Sequence, residues 1–215
     1  MKIAVLGTGM VGQTIGTKLV ELGHEVKMGS RSATNEKAEA WSQKAGKNAS
    51  HGTFSDAASF GEIVFNCTNG NGALDALRLA GASNLSGKVL IDISNALDFS
   101  KGFPPTLSVS NDDSLGEQIQ REFPDAKVVK TLNTVNCTLM VNPSLVPMPH
   151  DIFMSGNDAT AKETVRGILE SFGWSNIIDI GDIGTARGTE QLLPIWVRLM
   201  SMWKTPQFNF HIARA

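Results

Sequence analysis

Short apolar runs alternate with amphipathic stretches along this chain, and the first thirty residues already predict strand, helix, strand. Lys2-Ile3-Ala4-Val5-Leu6 is a β-branched apolar run. Apolar positions at Val11, Ile15, Leu19 and Leu22 follow at helical spacing, and Gly23 stops the helix. Residues 24–28 read as the next strand. The near-continuous apolar run at 62–67 suits a strand covered on both faces. Further strands are predicted over 88–93, 127–132, 151–155 and 175–180, and helices over 73–80, 115–123 and 159–172. The polar stretch after residue 95, with Pro104 and Pro105, is too long for a simple connection and predicts a functional loop. From residue 186 onward, Leu192, Leu193, Trp196, Leu199, Met200 and Trp203 give one apolar helical face. The alternation predicts an α/β fold, a doubly wound and mostly parallel sheet. The sheet domain is assigned to residues 1–180 and a short helical C-terminal extension, read as a dimer contact, to 181–215.

Composition narrows the possibilities. A chain of 215 residues with 41% apolar content can bury a full core. A net charge of −2 without a basic run argues against nucleic acid or an anionic membrane as partner. No apolar stretch approaches a membrane span, and no signal peptide precedes the first strand. The two cysteines, Cys67 and Cys137, stand far apart in apolar segments, which predicts buried thiols in a reducing cytoplasm and no metal site.

The chemistry begins at Gly7-Thr8-Gly9-Met10-Val11-Gly12, placed between a strand and a helix. In that β-α-β setting the glycine pattern reads as the dinucleotide loop of a Rossmann sheet. Gly7 makes the tight turn, Gly9 admits a pyrophosphate and Gly12 lets helix and strand pack. The helix N-terminus offers free N–H groups to the anion. After the second strand an NAD site carries Asp or Glu, whereas this chain reads Gly29-Ser30-Arg31-Ser32. A planar guanidinium with two small hydroxyls suits a 2′-phosphate, so the expected cofactor is NADP(H).

Ligands of such sheets lie beyond the carboxyl ends of the strands. Three of those ends are small and polar: Cys67-Thr68-Asn69, Ile93-Ser94-Asn95-Ala96 and Leu132-Asn133-Thr134-Val135. They are the expected walls of a nicotinamide crevice; the plainer reading is that Asn and Thr cap the next helices. No residue stands out as a catalytic acid. The chain has no Tyr, and none of His24, His51, His150 and His211 falls in a catalytic spacing. Only His150 is placed near the pocket mouth.

Gly7-Thr8-Gly9 with Gly29-Ser30-Arg31, Lys130-Thr131-Leu132-Asn133-Thr134 and Asp182-Ile183-Gly184-Thr185-Ala186-Arg187 resembles the NADPH-dependent coenzyme F420 reductases. The NADPH-binding domain of the STEAP metalloreductases belongs to the same broad group. The resemblance runs along essentially the whole chain. It implies a Rossmann sheet with a small C-terminal extension, a homodimer, and hydride transfer between NADP(H) and F420 or a flavin such as FMN or FAD. It further implies that Thr8, Gly9, Met10 and Val11 hold the pyrophosphate, and Ser30 and Arg31 the 2′-phosphate. Thr68 and Asn69 would border the ribose. Ser94 and Asn95 would lie near the nicotinamide, and Asn133, Thr134 and Val135 would form the acceptor pocket. The archaeal enzymes are expected to carry His where Asn133 stands. Two other functions compete: reduction of a small carbonyl or imine, whose enzymes carry a long helical second domain, and NADP sensing without turnover.

Overall fold

The computed structural model describes residues 1–214. In chain order, β1 (Lys2–Leu6), α1 (Met10–Glu21), β2 (Glu25–Ser30), α2 (Glu36–Ala45), β3 (Ala49–Thr53), α3 (Phe54–Phe60) and β4 (Ile63–Asn66) form the first half. Then come α4 (Ala73–Ala80), α5 (Ala82–Leu85), β5 (Val89–Asp92), a hairpin of β6 (Leu97–Asp98) and β7 (Thr106–Leu107), and α6 (Leu115–Glu122). The last elements are β8 (Lys127–Thr131), α7 (Cys137–Val141), β9 (Ile152–Gly156), α8 (Ala159–Ser171), β10 (Ile177–Gly181), α9 (Ala186–Gln191) and α10 (Leu193–Trp203).

The main sheet has the order β3-β2-β1-β4-β5-β8-β9-β10. It is a Rossmann-type α/β fold. The six strands from β3 to β8 are parallel, and β9 pairs antiparallel to β8 with Lys130 opposite Ser155. α7 and the irregular stretch 142–151 join the two strands, and the chain enters β9 from the end at which β8 stops.

Both faces are covered. One core holds Ile15 and Leu19 of α1, Trp41 of α2, Leu139 of α7 and Val165 of α8. The other holds Ala57 of α3, Leu77 of α4, Ile119 of α6 and Ala186 of α9. Local caps start the helices: Asn35 Oδ1 accepts from Ala38 N–H at 3.0 Å, and Asp158 Oδ1 from Ala161 N–H at 2.7 Å.

The apolar pattern did not predict α2, β3 or α3. β3 reads Ala-Ser-His-Gly-Thr and carries no apolar alternation; it forms because β2 offers a free edge. The C-terminal extension is helical only through Trp203. Residues beyond it run back across the start of β9, where Asp151 N–H donates to the Phe210 carbonyl at 2.9 Å and Asn209 Nδ2 donates to the Asp151 carbonyl at 2.8 Å. Among the described residues, no helix is long and apolar enough to cross a membrane.

Candidate functional site

The turn between β1 and α1 is built around its glycines. Gly7 has a φ of +119°, and a Cβ there would lie 2.6 Å from the Cys67 carbonyl oxygen. A Cβ on Gly12 would lie 2.1 Å from the Gly7 oxygen, so the helix can approach only without a side chain. Gly9 differs from both. Its φ is −76°, and a Cβ there would meet nothing within 4 Å. The space above Gly9 is open, and the first intrahelical bond runs from Gln13 N–H to the Gly9 carbonyl at 3.0 Å. The N–H groups of Met10, Val11 and Gly12 precede that bond, and the first turn of α1 carries no acidic residue.

A cleft of about 470 Å³ runs from this turn along the ends of β2 and β4. Residues 7–9, 30–32 and 67–69 line it, with Asn35 and Phe54. Arg31 stands exposed at its lip, and among the described residues it has no salt-bridge partner. Ser30 is buried, and its hydroxyl donates to the Ser32 carbonyl at 2.5 Å. Its hydroxyl thus shapes the turn, and the exposed Ser32 hydroxyl meets Thr34, so Arg31 is the group left without a partner. Cys67 lies on the cleft floor; burial, with the Asp92 charge, pushes its thiol up and keeps it protonated. The open backbone above Gly9, the free helix N–H groups and the unpaired guanidinium fit a dinucleotide with a 2′-phosphate.

The ends of β4, β5 and β8 are joined by a buried polar network. The Thr68 hydroxyl donates to Asn66 Oδ1 at 2.6 Å, and Asn66 Nδ2 donates to Asp92 Oδ1 at 2.8 Å. The Ser94 hydroxyl also donates to Asp92 Oδ1, at 2.7 Å. Lys130 Nζ pairs with Asp92 Oδ2 at 2.7 Å and Glu190 Oε1 at 2.9 Å. Burial works against the Lys130 charge, but the two carboxylates outweigh it and hold its pKa above the usual lysine value. Asp92, Lys130 and Glu190 escaped the sequence reading. Lys130 and Asp92 sit inside predicted strands and look like ordinary surface charges, while Glu190 arrives from 60 residues downstream. A lysine next to Val128 and Val129 in a predicted strand was the one available signal.

Asn95 and Asn133 meet across the ends of β5 and β8. Asn133 Nδ2 donates to Asn95 Oδ1 at 3.1 Å and to the Thr189 carbonyl at 3.2 Å. Leu132, just before it, adopts φ +60°. Thr134 and Val135 are buried behind Asn133. Asn69 caps the turn that opens α4, accepting from Asn71 N–H at 3.1 Å, which is the plainer of its two readings. His150 belongs elsewhere: it packs edge-on against Trp174 and contacts the Pro143 carbonyl at 3.0 Å. On the far side of α6, Arg187 grips Glu117 at 2.8 and 2.6 Å, which, against some burial, holds that carboxyl below the usual range.

The family described as NADP oxidoreductase, coenzyme F420-dependent, matches residues 2–96. The F420-dependent NADP reductase of Methanocaldococcus jannaschii is 28% identical over 216 residues, covering 95% of both chains. Metalloreductase STEAP3 of Rattus norvegicus is 27% identical over 212 residues, covering 95% of this chain; the chain spans 38% of that protein's length. A crystal structure from Arthrobacter sp. FB24, assigned as an F420-dependent NADP reductase, superposes with a TM-score of 0.95 at 51% identity and full coverage of both chains. The imine reductase of Streptomyces aurantiacus shares the fold, with a TM-score of 0.68 at 20% identity over 95% of this chain and 65% of that one.

Proposed function

This chain belongs to the coenzyme F420-dependent NADP oxidoreductases, and on that premise we propose that it moves a hydride between NADP(H) and a deazaflavin ring of the F420 type. Thr8, Gly9, Met10 and Val11 would hold the pyrophosphate, Arg31 and Ser32 the 2′-phosphate, and Thr68 the ribose edge. Ser94, Asn95, Asn133, Thr134 and Val135 would wall the space where the two rings face each other. The bound dinucleotide supplies the hydride chemistry, and the protein supplies orientation and exclusion of water.

One observation carries the choice of a ring acceptor: the wall offers no free acid. The Ser94 proton is committed to Asp92, Asn133 spends both amide protons on Asn95 and Thr189, and Lys130 is sealed from solvent. Reduction of a carbonyl needs a proton donor at the developing alkoxide. A deazaflavin delocalises the incoming charge and draws its proton from solvent. The test is NADPH oxidation against F420, FMN, FAD, a cyclic imine and a simple ketone. Turnover of F420 above the others supports the reading. Turnover of the imine or ketone alone would replace it, and tight NADPH binding with no turnover would indicate a sensor.

We also propose a homodimer formed through the outer face of α10, where Ile195, Met202 and Trp203 are exposed. The inner face is already spent, since Leu193 and Val197 are buried and Trp196 stacks on Phe208 at 5.4 Å. A monomeric mass by light scattering at micromolar concentration would remove this proposal.

A further inference from the structure

The Lys130 side chain has no solvent exposure, and its Nζ touches three oxygens: Asp92 Oδ2 at 2.7 Å, Glu190 Oε1 at 2.9 Å and the Ser94 carbonyl at 2.6 Å. The groups around the two carboxylates are donors. Asp92 receives Asn66 Nδ2, the Ser94 N–H and the Ser94 hydroxyl. Glu190 receives the N–H groups of Leu115 and Gly116, the first turn of α6, at 2.9 and 3.0 Å. Every partner of the two carboxyls is an N–H, O–H or ammonium donor, so each acts as an acceptor only. One ammonium against two carboxylates leaves one net negative charge, sealed from water. The α6 N-terminus softens it by a partial charge only.

This charge is wired to the wall of the proposed site. Asp92 holds Ser94 directly and holds Thr68 through Asn66. A nicotinamide ring is neutral when reduced and carries one positive charge when oxidised. A fixed negative charge nearby, in poorly screened surroundings, discriminates between those two forms. We propose that the Asp92–Lys130–Glu190 cluster binds the oxidised nicotinamide in preference to the reduced one, making bound NADPH a stronger hydride donor than free NADPH. This rests on the reading of Ser94 and Asn95 as the nicotinamide wall. The three side chains act through charge and position, and none of them touches the reacting atoms.

The experiment is calorimetric titration of the full chain with NADP⁺ and, separately, with NADPH. Glu190→Gln and Asp92→Asn each neutralise the cluster from opposite ends, while Glu190→Asp keeps its charge and shortens its reach. The ratio of the two dissociation constants, Kd(NADP⁺) over Kd(NADPH), should rise about five-fold or more in both neutral variants. It should stay near the wild-type value in Glu190→Asp, even where both affinities weaken. A merely structural role would move both constants together. An unchanged ratio in either neutral variant that keeps its circular dichroism spectrum overturns the proposal, and so does an equal rise in Glu190→Asp. If one neutral variant fails to fold, the other decides. Wild type that binds neither nucleotide would instead overturn the NADP(H) reading of the cleft.

Discussion

Asn95 and Asn133 hold each other: Asn133 Nδ2 donates to Asn95 Oδ1 at 3.1 Å, and Asn95 Nδ2 donates back to the Asn133 carbonyl at 2.9 Å. The pair fastens the end of β5 to the end of β8. Its second amide proton ties Asn133 to the Thr189 carbonyl, so α9 is pinned to the same point. Asn133→Ala takes the donor from the half-buried Asn95 Oδ1 and leaves the Thr189 carbonyl with only the Leu192 N–H at 3.3 Å, which costs about 1–3 kcal/mol. For a chain of this size each kcal/mol lowers Tm by roughly 2–4 °C. Thermal melting followed by circular dichroism measures it, and an unchanged Tm would mean that the clamp holds nothing.

Arg31 is the open cation at the cleft lip, and no carboxylate ends β2. The wild type is expected to bind NADP⁺ more tightly than NAD⁺. Arg31→Glu removes a charge-assisted phosphate contact worth roughly 1.5–3 kcal/mol and should erase that preference. Calorimetry with both nucleotides decides it; equal affinities in the wild type would end the argument.

Gly9 and Gly12 should fail in different ways. Gly9 has an ordinary φ and open space at its Cβ, so Gly9→Val should fold normally and lose NADPH binding. A Cβ at Gly12 would lie 2.1 Å from the Gly7 oxygen, so Gly12→Ala should lower Tm as well. The measurements are NADPH fluorescence titration and thermal melting. NADPH binding by Gly9→Val within a few-fold of wild type would refute the phosphate cradle.

The same contrast explains what could be read in advance. Gly7, Gly9 and Gly12 encode backbone geometry within six residues, and such local constraints are written in local sequence. The buried strands β1, β4 and β5 were equally legible, because a strand covered on both faces is largely apolar. β3 was not, since an edge strand of Ala, Ser, His, Gly and Thr satisfies its hydrogen bonds without an apolar face. The Asp92–Lys130–Glu190 cluster was hidden for another reason. Its members lie 38 and 60 residues apart, and no period in the chain links a charge on β5 to one on α9. Only the sheet order, with α9 packed against the ends of its strands, brings them together.

The hairpin of β6 and β7 leaves the sheet directly after Asn95, at the wall of the proposed crevice. It is pinned at its base, where Asn71 Nδ2 donates to the Leu97 carbonyl at 3.2 Å and Ser108 N–H donates to the Ala96 carbonyl at 2.8 Å. Its tip carries two aromatic rings that face solvent, Phe99 at 54% and Phe103 at 60% exposure. Neither ring contributes to the core, so selection for folding does not account for them. A tip of this kind can lie over a planar acceptor and keep water from the rings beneath. Phe103→Ser should therefore raise KM for the acceptor about three- to ten-fold, and Phe99→Ser should act in the same direction. The dissociation constant for NADPH should change less, because the phosphate end of the dinucleotide would lie against residues 7–9 and 30–32, which the hairpin does not line. Stability should move by less than about 0.5 kcal/mol, as for most exposed positions. Steady-state kinetics with F420, paired with NADPH titration, separates the effects. An acceptor KM that is unchanged in the double variant would remove the hairpin from the site and leave the acceptor held by the strand ends alone.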